Sequence, residues 1–149
     1  MADIIRIEVL GLRELGQAFA RLSDDMQKKA ARAATNAAAQ VVKKRAVLNI
    51  ITSPSVETGA LKRSVIVKKL PPSQTPLTSE HIVTVRGRGK KLKSGKTQDS
   101  APYAHFLEFG SVKMPAEPFL RPALDAGKQE AIQAMKDKLA DRIAAAVKT

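Results

Sequence analysis

The N-terminal third of the chain carries the longest periodic pattern of apolar residues. Over residues 12–50 they recur every three or four positions, which is the spacing of one face of an amphipathic helix. The stripe consists of Leu15, Phe19, Leu22, Met26, Ala30, Ala33, Ala37, Val41 and Leu48. The pattern predicts a single long helix. Because Ser23, Asp24 and Asp25 form a helix-starting sequence, a break into two helices is the alternative.

Three short segments alternate apolar and polar residues, which is typical of strands with one buried face. They span residues 5–9, 64–70 and 81–86. The second and third are expected to pair as a hairpin with a long tip, with Val65 and Val67 on one face. Before this hairpin, Thr58 is placed to cap a single helical turn.

The C-terminal part of the chain predicts two helices. Pro102 and Gly110 bracket a short helix over residues 103–109, since proline favours the first turn of a helix and glycine favours its end. A long helix is expected over residues 122–147, with Pro122 as its first residue. Its predicted apolar stripe consists of Leu124, Ala131, Met135, Leu139, Ile143 and Val147.

Length and composition favour one domain with an ordinary core. The 149 residues are 44% hydrophobic, which is typical of globular chains. The order of elements predicts a single α+β domain over residues 1–149: a small antiparallel β-sheet packed against a long N-terminal helix and a C-terminal helix.

Cysteine is absent, which excludes disulfides and thiolate chemistry. Neither a signal-peptide pattern nor a long apolar run occurs, so neither a signal peptide nor a membrane-spanning segment is expected, and no membrane partner is predicted.

The chain is strongly basic, with a formal net charge of +12. Such a field attracts polyanions, whether nucleic acid, an acidic protein surface or an anionic membrane, and a merely solvated basic surface is the alternative. The charge is concentrated in residues 87–100, which contain five Lys or Arg, three glycines and one apolar residue. This composition buries too little apolar surface to offset the entropy of ordering. We therefore expect a flexible basic loop that orders only when something binds it.

The loop and its flank supply the best candidates for contact with nucleic-acid phosphate, or alternatively with an acidic partner protein. These candidates are Arg86, Arg88, Lys90, Lys91, Lys93 and Lys96. Because no aromatic residue is interleaved with them, base stacking is not indicated. Any DNA binding would be independent of sequence and sensitive to salt.

Four of the five aromatic residues lie in two neighbouring blocks of the C-terminal half. They are Tyr103, Phe106, Phe109 and Phe119. Because aromatic side chains bury large areas, we expect these four to form the core at this point. The alternative is an exposed patch that serves as an assembly interface, where aromatic residues and arginine are enriched.

Glu108 and Arg121 are the candidate charged pair of this region. Glu108 pairs either with Arg121, whose planar guanidinium can donate two hydrogen bonds to a carboxylate, or across a subunit interface. An exposed helix carboxylate is the alternative. His105 lies beside Glu108 without a nucleophile or phosphate-binding loop, and neither His105 nor His81 has a metal-ligand set. We therefore predict no catalytic, cofactor-binding or metal-binding residue.

Three blocks, taken in order, resemble a family of phage proteins. They are residues 58–64 (TGALKRS), Tyr103-Ala104 followed by Glu108-Phe109-Gly110, and residues 118–123 (PFLRPA) before the closing helix. The chain resembles the tail-completion or neck proteins of long-tailed bacteriophages and is similar to the family of the lambda minor tail protein Z. The resemblance covers roughly the last two thirds of the chain. The basic loop matches no motif of that family.

The resemblance implies a structural virion protein and not an enzyme. Such proteins complete the tail end at the neck and allow head–tail joining and DNA passage. They act as homo-oligomeric rings or against ring-shaped partners, so other phage tail or neck proteins are the expected partners. The implied location is the virion, with the host cytoplasm during assembly.

Three other functions are considered. One alternative is a sequence-independent nucleic-acid-binding protein, and another is a tail terminator-type ring protein. An enzyme such as a nuclease is the third, although the chain lacks the clustered carboxylates that a metal nuclease needs.

Overall fold

The computed structural model describes residues 12–53, 59–71 and 79–148 as five helices and two strands. In chain order these are α1 (Leu12–Ala20), α2 (Asp24–Thr52), α3 (Gly59–Ser64), β1 (Val65–Lys69), β2 (His81–Val85), α4 (Ala104–Phe109) and α5 (Leu120–Val147). The predicted α+β class is confirmed, because two long helices pack together and the antiparallel pair β1–β2 lies against α2. The strand predicted over residues 5–9 and the Thr58 cap lie outside the described residues.

The N-terminal helix is broken in two. The prediction of a single helix is therefore wrong, and the alternative break at Ser23 is correct. α1 ends at Ala20, and the next two N–H groups bond to carbonyls three residues back, as in a tightening last turn. Ser23 then adopts extended dihedrals as the N-cap of α2, without a capping hydrogen bond from its side chain. Asp24 and Asp25 follow in the first turn, where the helix dipole favours negative charge.

α2 and α5 run antiparallel and form the main contact of the fold. The Asn49 side chain donates to the carbonyl of Phe119 at 3.0 Å, and further along Arg45 pairs with Glu130 at 2.7 Å. Most buried residues of the two helices are small. They are Ala30, Ala34, Ala39, Val42, Ala46 and Ile50 in α2, and Ala123, Gly127, Ala131 and Ile143 in α5. Small side chains allow the two helix backbones to approach closely.

The buried face of α2 is rotated relative to the predicted stripe. Buried positions recur every three to five residues from Ala30 to Ile50, whereas the predicted members Met26 and Leu48 are exposed. Two causes combine. The predicted stripe runs through the break before α2, where the helical phase changes. In addition, adjacent alanines make neighbouring faces of the helix equally apolar, so the pattern does not distinguish them.

α5 also differs from its predicted outline. It begins at Leu120, two residues before the predicted start, and the predicted stripe members Leu124 and Val147 are exposed. Gly127, which is not part of the predicted stripe, is buried. A Cβ added there would lie 2.7 Å from Cδ of Arg45, so the glycine makes room for the arginine stem that crosses α5.

The predicted hairpin is confirmed. β1 and β2 pair antiparallel with a register that runs from Val65–Val85 to Lys69–His81, and Val65 is buried in the core as expected. A two-stranded sheet is marginally stable alone and needs a packing partner. α2 is that partner, and the Thr35 hydroxyl lies 2.9 Å from Nδ1 of His81 at the start of β2.

Overpacking the core at Ala46 is expected to destabilise the fold. Ala46 is 0% exposed, and Ala46→Leu should lower the free energy of unfolding by about 2 kcal/mol, because the larger side chain has no space. The matched control is Ala126→Leu on the exposed side of α5, which should change stability by less than about 0.5 kcal/mol. Urea unfolding followed by circular dichroism measures both. An Ala46→Leu protein as stable as the control would contradict close packing at this position.

Candidate assembly site

The carboxylate of Glu108 caps the N-terminus of α5. One oxygen accepts the backbone N–H groups of Phe119 (2.8 Å) and Leu120 (3.0 Å), and the other accepts that of Arg121 (3.0 Å). The next position is Pro122, which has no N–H group. A helix start leaves four N–H positions without an intrahelical acceptor. Glu108 satisfies three of them, and proline removes the fourth.

Sequence reasoning missed this capping role, although a signal for it exists. The residues around the start of α5, Pro118 to Pro122, include no Ser, Thr, Asp or Asn that could cap the helix locally. The helix therefore needs an acceptor from elsewhere in the chain. Glu108 and Glu117 are the two acidic residues just upstream, and of these only Glu108 lies between large apolar neighbours, Leu107 and Phe109.

Glu108 and Arg121 form an ion pair of unequal exposure. Glu108 is 4% exposed, whereas the Arg121 side chain is largely exposed. The arginine donates to the carboxylate at 3.3 Å and to the Glu108 backbone carbonyl at 3.1 Å. The predicted pairing of Glu108 with Arg121 is confirmed, and the alternative of an exposed carboxylate is wrong.

The pKa of Glu108 lies below its ordinary value of 4.5. Burial acts in the opposite direction and raises it. The hydrogen bonds from the N–H groups of Leu120, Phe119 and Arg121, and from the Arg121 side chain, together outweigh the burial. The carboxylate is therefore ionised at neutral pH, where its negative charge interacts favourably with the α5 dipole.

α4 holds Glu108 in position, and Gly110 ends α4 as predicted. The Gly110 N–H bonds to the carbonyl of Phe106 at 2.8 Å, and Gly110 has φ +77°. Glycine adopts this left-handed conformation without strain. A Cβ there would also lie 2.9 Å from a backbone nitrogen of the following loop. Gly110 thus turns the chain so that the loop returns Phe119 to the Glu108 carboxylate.

The four clustered aromatic residues divide into one core residue and three surface residues. Phe119 is buried, but Tyr103, Phe106 and Phe109 are 38%, 46% and 69% exposed. The prediction that all four form the core is correct for Phe119 and wrong for the other three. The reason is the rotation of α4, whose buried residues are Ala104, Leu107 and Glu108. We refer to Tyr103, Phe106 and Phe109 as the aromatic patch.

Arg121 connects the aromatic patch to the buried carboxylate. Its Cζ atom lies 4.8 Å from the centroid of the Phe109 ring, which is cation–π geometry. Val112, three residues after Phe109 in the chain, is fully exposed and adds a further apolar side chain to the surface. Exposed aromatic residues with an arginine beside them are typical of protein–protein interfaces.

His105 takes no part in a pair with Glu108. Its Nδ1 atom lies 2.8 Å from the carbonyl oxygen of Pro102, and its ring contacts Phe106. Within the described residues, no group of three or more His, Cys, Asp or Glu is arranged to hold a metal ion. Helices that are both long and apolar enough to cross a membrane are likewise absent from the described part of the chain.

The base of the basic loop is held by hydrogen bonds. The Arg86 guanidinium donates to the carbonyl of Asp99 at 3.1 Å, and the Asp99 carboxylate pairs with Arg63 at 2.6 Å. The Ala101 N–H bonds to the Arg86 carbonyl at 2.8 Å. Arg86, one of the predicted phosphate contacts, is thus half-buried and bonded to the backbone of its own loop.

The outer part of the loop forms a narrow turn that exposes its cations. The Leu92 N–H bonds to the carbonyl of Lys96, and the Gln98 N–H bonds to that of Lys90. The other five predicted contact residues are exposed. These are Arg88, Lys90, Lys91, Lys93 and Lys96. The expected flexibility of the loop stays a prediction.

A comparison with protein families identifies the class of this chain. The family model described as "Bacteriophage HK97-gp10, putative tail-component" matches residues 13–110, which is more than half of the chain. The chain belongs to this bacteriophage tail-component family. The match extends from α1 through α4 and includes Glu108 and the aromatic patch, but it ends before α5. No curated protein and no solved structure gave a significant match.

Removal of the Glu108 carboxylate is expected to destabilise the protein more than removal of the Arg121 side chain. Glu108→Ala leaves three N–H groups at a partly buried helix start without an acceptor, so the free energy of unfolding should fall by about 3 kcal/mol. Arg121→Ala keeps those bonds and should lower it by about 1 kcal/mol. Urea unfolding of both variants measures the difference. Equal losses of unfolding free energy in the two variants would show that the ion pair, and not the helix cap, accounts for most of the stabilisation by Glu108.

Acid is expected to remove the contribution of Glu108 to stability. Because folding lowers the pKa of Glu108, its ionised form contributes stability that is fully present above about pH 4.5 and is lost as the pH falls through the folded-state pKa. The stability difference between the wild type and Glu108→Gln should therefore shrink below that pH. Urea unfolding at a series of pH values tests this, with Glu14→Gln, at an exposed site in α1, as the control. A difference that stays constant into acid would contradict the assignment.

Proposed function

We propose that this chain is a structural protein of the tail end or neck of a long-tailed phage. It completes the tail there and supports head–tail joining and the passage of DNA. It works by assembly and not by catalysis, as a homo-oligomeric ring in contact with other tail or neck proteins. Its place is the virion, after assembly in the host cytoplasm. Membership of the tail-component family supports this proposal.

The observation that carries the assembly mechanism is the exposure of the aromatic patch. Phe106 and Phe109 leave a large share of their ring surface in water, which is unfavourable in an isolated chain and favourable once a partner covers it. Both rings lie on α4, whose position is set by the Glu108 cap and the Gly110 turn. Side chains that are already positioned lose less entropy on docking. We assign the patch to contacts between neighbouring copies in the ring.

Two alternatives use parts of the same surface. A tail terminator-type ring protein would assemble through the same patch and would differ in its position in the virion. A sequence-independent nucleic-acid-binding protein is favoured by the five exposed cations of the basic loop. If the chain is instead the ring-forming tail or neck protein proposed above, the basic loop contacts an acidic partner protein or DNA only after the ring has formed.

Substitution of the aromatic patch is expected to disrupt self-association. Light scattering of the wild type over a concentration series should give a defined oligomer, and Phe106→Gln/Phe109→Gln should shift it to monomer, because the apolar surface of the contact is lost. The matched control is Leu48→Gln/Ile51→Gln, since these apolar residues of α2 are also more than half exposed. The control should keep the wild-type mass.

Two results would contradict this assignment. The first is a wild type that stays monomeric at every concentration, and the second is a control that dissociates as fully as the patch variant. The same measurement with duplex DNA at physiological salt separates the alternatives. An increase in mass that requires DNA would favour the nucleic-acid-binding function over ring assembly.

A further inference from the structure

A second basic site lies in a cleft between α2 and α5, beside the start of β2. The cleft has a volume of about 430 Å³ and is lined by two cationic side chains from each helix. They are Lys29 and Arg32 from α2, and Lys138 and Arg142 from α5. Asn36 and His81 complete the polar lining. None of these residues belongs to the basic loop or to the aromatic patch.

Among the described residues, no carboxylate forms an ion pair with the cations of the cleft. The lining of the cleft contains no carboxylate, and the ion pairs among the described residues involve Arg45, Arg63 and Arg121 instead. The nearest acidic residues along the two helices, Asp25 in α2 and Asp137 and Asp141 in α5, take part in none of these ion pairs. Glu80, the neighbour of His81, lines a different groove, a mainly apolar one formed by α2, β2 and α5. Four like charges around one concave space repel each other, and a bound anion relieves this repulsion.

His81 lies within this positive field. Its ring is held by the Thr35 hydroxyl at 2.9 Å from Nδ1. Burial is the largest cause that lowers its pKa, and the positive charges of Lys69 and Arg32 lower it further. Lys69 pairs with His81 across the hairpin and brings a fifth positive charge close to the cleft.

We propose that this cleft binds the phosphodiester backbone of a nucleic acid. Arginine donors match the geometry of phosphate oxygens. Among the described residues the lining holds no Phe, Tyr or Trp on which a base could stack, and its one ring, that of His81, is held by Thr35. The binding is therefore independent of base sequence. This site is separate from the assembly function and does not rest on the aromatic patch.

The position of the basic loop favours a long polyanion over a local acidic segment of a protein. β2 runs from His81 at the cleft to Val85, next to Arg86 at the base of the loop. A five-residue strand spans about 17 Å, so two positive sites lie at opposite ends of one short strand. A nucleic-acid strand carries phosphate groups at regular intervals and can occupy both sites at once. A small acidic segment would neutralise one of them.

The test of the site uses the two histidines of the chain as reporters. The pKa of His81 is measured by NMR with and without a short duplex DNA of arbitrary sequence, and His105, outside the cleft, is the internal reference. Phosphate groups in the cleft should raise the pKa of His81, because they offset the neighbouring positive charges. The ring resonances of His105 should respond less to the duplex. No change at His81 at saturating duplex would overturn the proposal.

Two further ligands identify the source of the anion. Inorganic phosphate at the same phosphate concentration, and polyglutamate at the same charge concentration, are titrated against the same resonances. The proposal expects a weaker response to both than to the duplex. An equal response to inorganic phosphate would replace the proposal with a small-anion site. A stronger response to polyglutamate would replace it with a site for an acidic protein.

A matched pair of variants separates the cleft from the general charge of the chain. Lys29→Gln/Lys138→Gln removes two charges from the cleft, and Lys44→Gln/Lys113→Gln removes two from exposed positions elsewhere. Fluorescence anisotropy with the duplex at several salt concentrations gives the slope of log K against log salt. The cleft variant should reduce the magnitude of that slope by about 2, since each lost phosphate contact contributes about 0.9.

The control variant should change the slope by less than half as much. Equal effects of the two variants would show that only net charge matters and would overturn the proposal. Thermal unfolding checks that both variants fold. The cleft variant is expected to be at least as stable as the wild type, because two mutually repelling charges are removed.

Discussion

The carboxylate of Glu108 is the point on which the C-terminal half of the molecule depends. Its oxygens accept three backbone N–H groups at the start of α5, and proline occupies the position where a fourth donor would need an acceptor. This places the end of α4 directly against the start of α5. Because α5 is also the main packing partner of α2, the same group fixes where the long helical pair begins. It also holds Arg121 over Phe109, so the position of the aromatic patch follows from a buried polar contact.

The small residues between α2 and α5 have consequences beyond the core. Alanines and one glycine allow the helices to lie close together, and Arg45 crosses α5 over Gly127 to reach Glu130. Close approach also brings the polar edges of the two helices near each other. Cations that are ordinary surface residues on each helix then share one cleft. In this arrangement the proposed protein contact and the proposed phosphate contact use different surfaces. The protein contact uses the aromatic patch at α4. The phosphate contact uses the cleft at the start of β2 together with the basic loop that follows its end.

The sequence was most informative where the structural cause is local. The hairpin follows from alternation along each strand, and the end of α4 follows from Gly110, whose left-handed backbone conformation few other residues adopt. The order of elements therefore predicted the α+β class correctly. Helical rotation was predicted less well, because the alanine-rich stretch of α2 offers several equally apolar faces. The aromatic residues in and just before α4 were assigned to the core from their size alone, yet Tyr103, Phe106 and Phe109 all face solvent.

Sequence alone determined the hairpin, the two C-terminal helices, the strong positive charge and the pairing candidates Glu108 and Arg121. It also determined the resemblance to phage tail proteins that the family match confirms. Only the tertiary structure decided which face of each helix is buried, how Glu108 caps α5, and that cations more than one hundred positions apart share a cleft. The physical reason is the range of the interactions. Periodicity, turns and end residues depend on near neighbours in the chain. A cap supplied by another helix and a cleft between two helices depend on how those helices pack, which no local pattern contains.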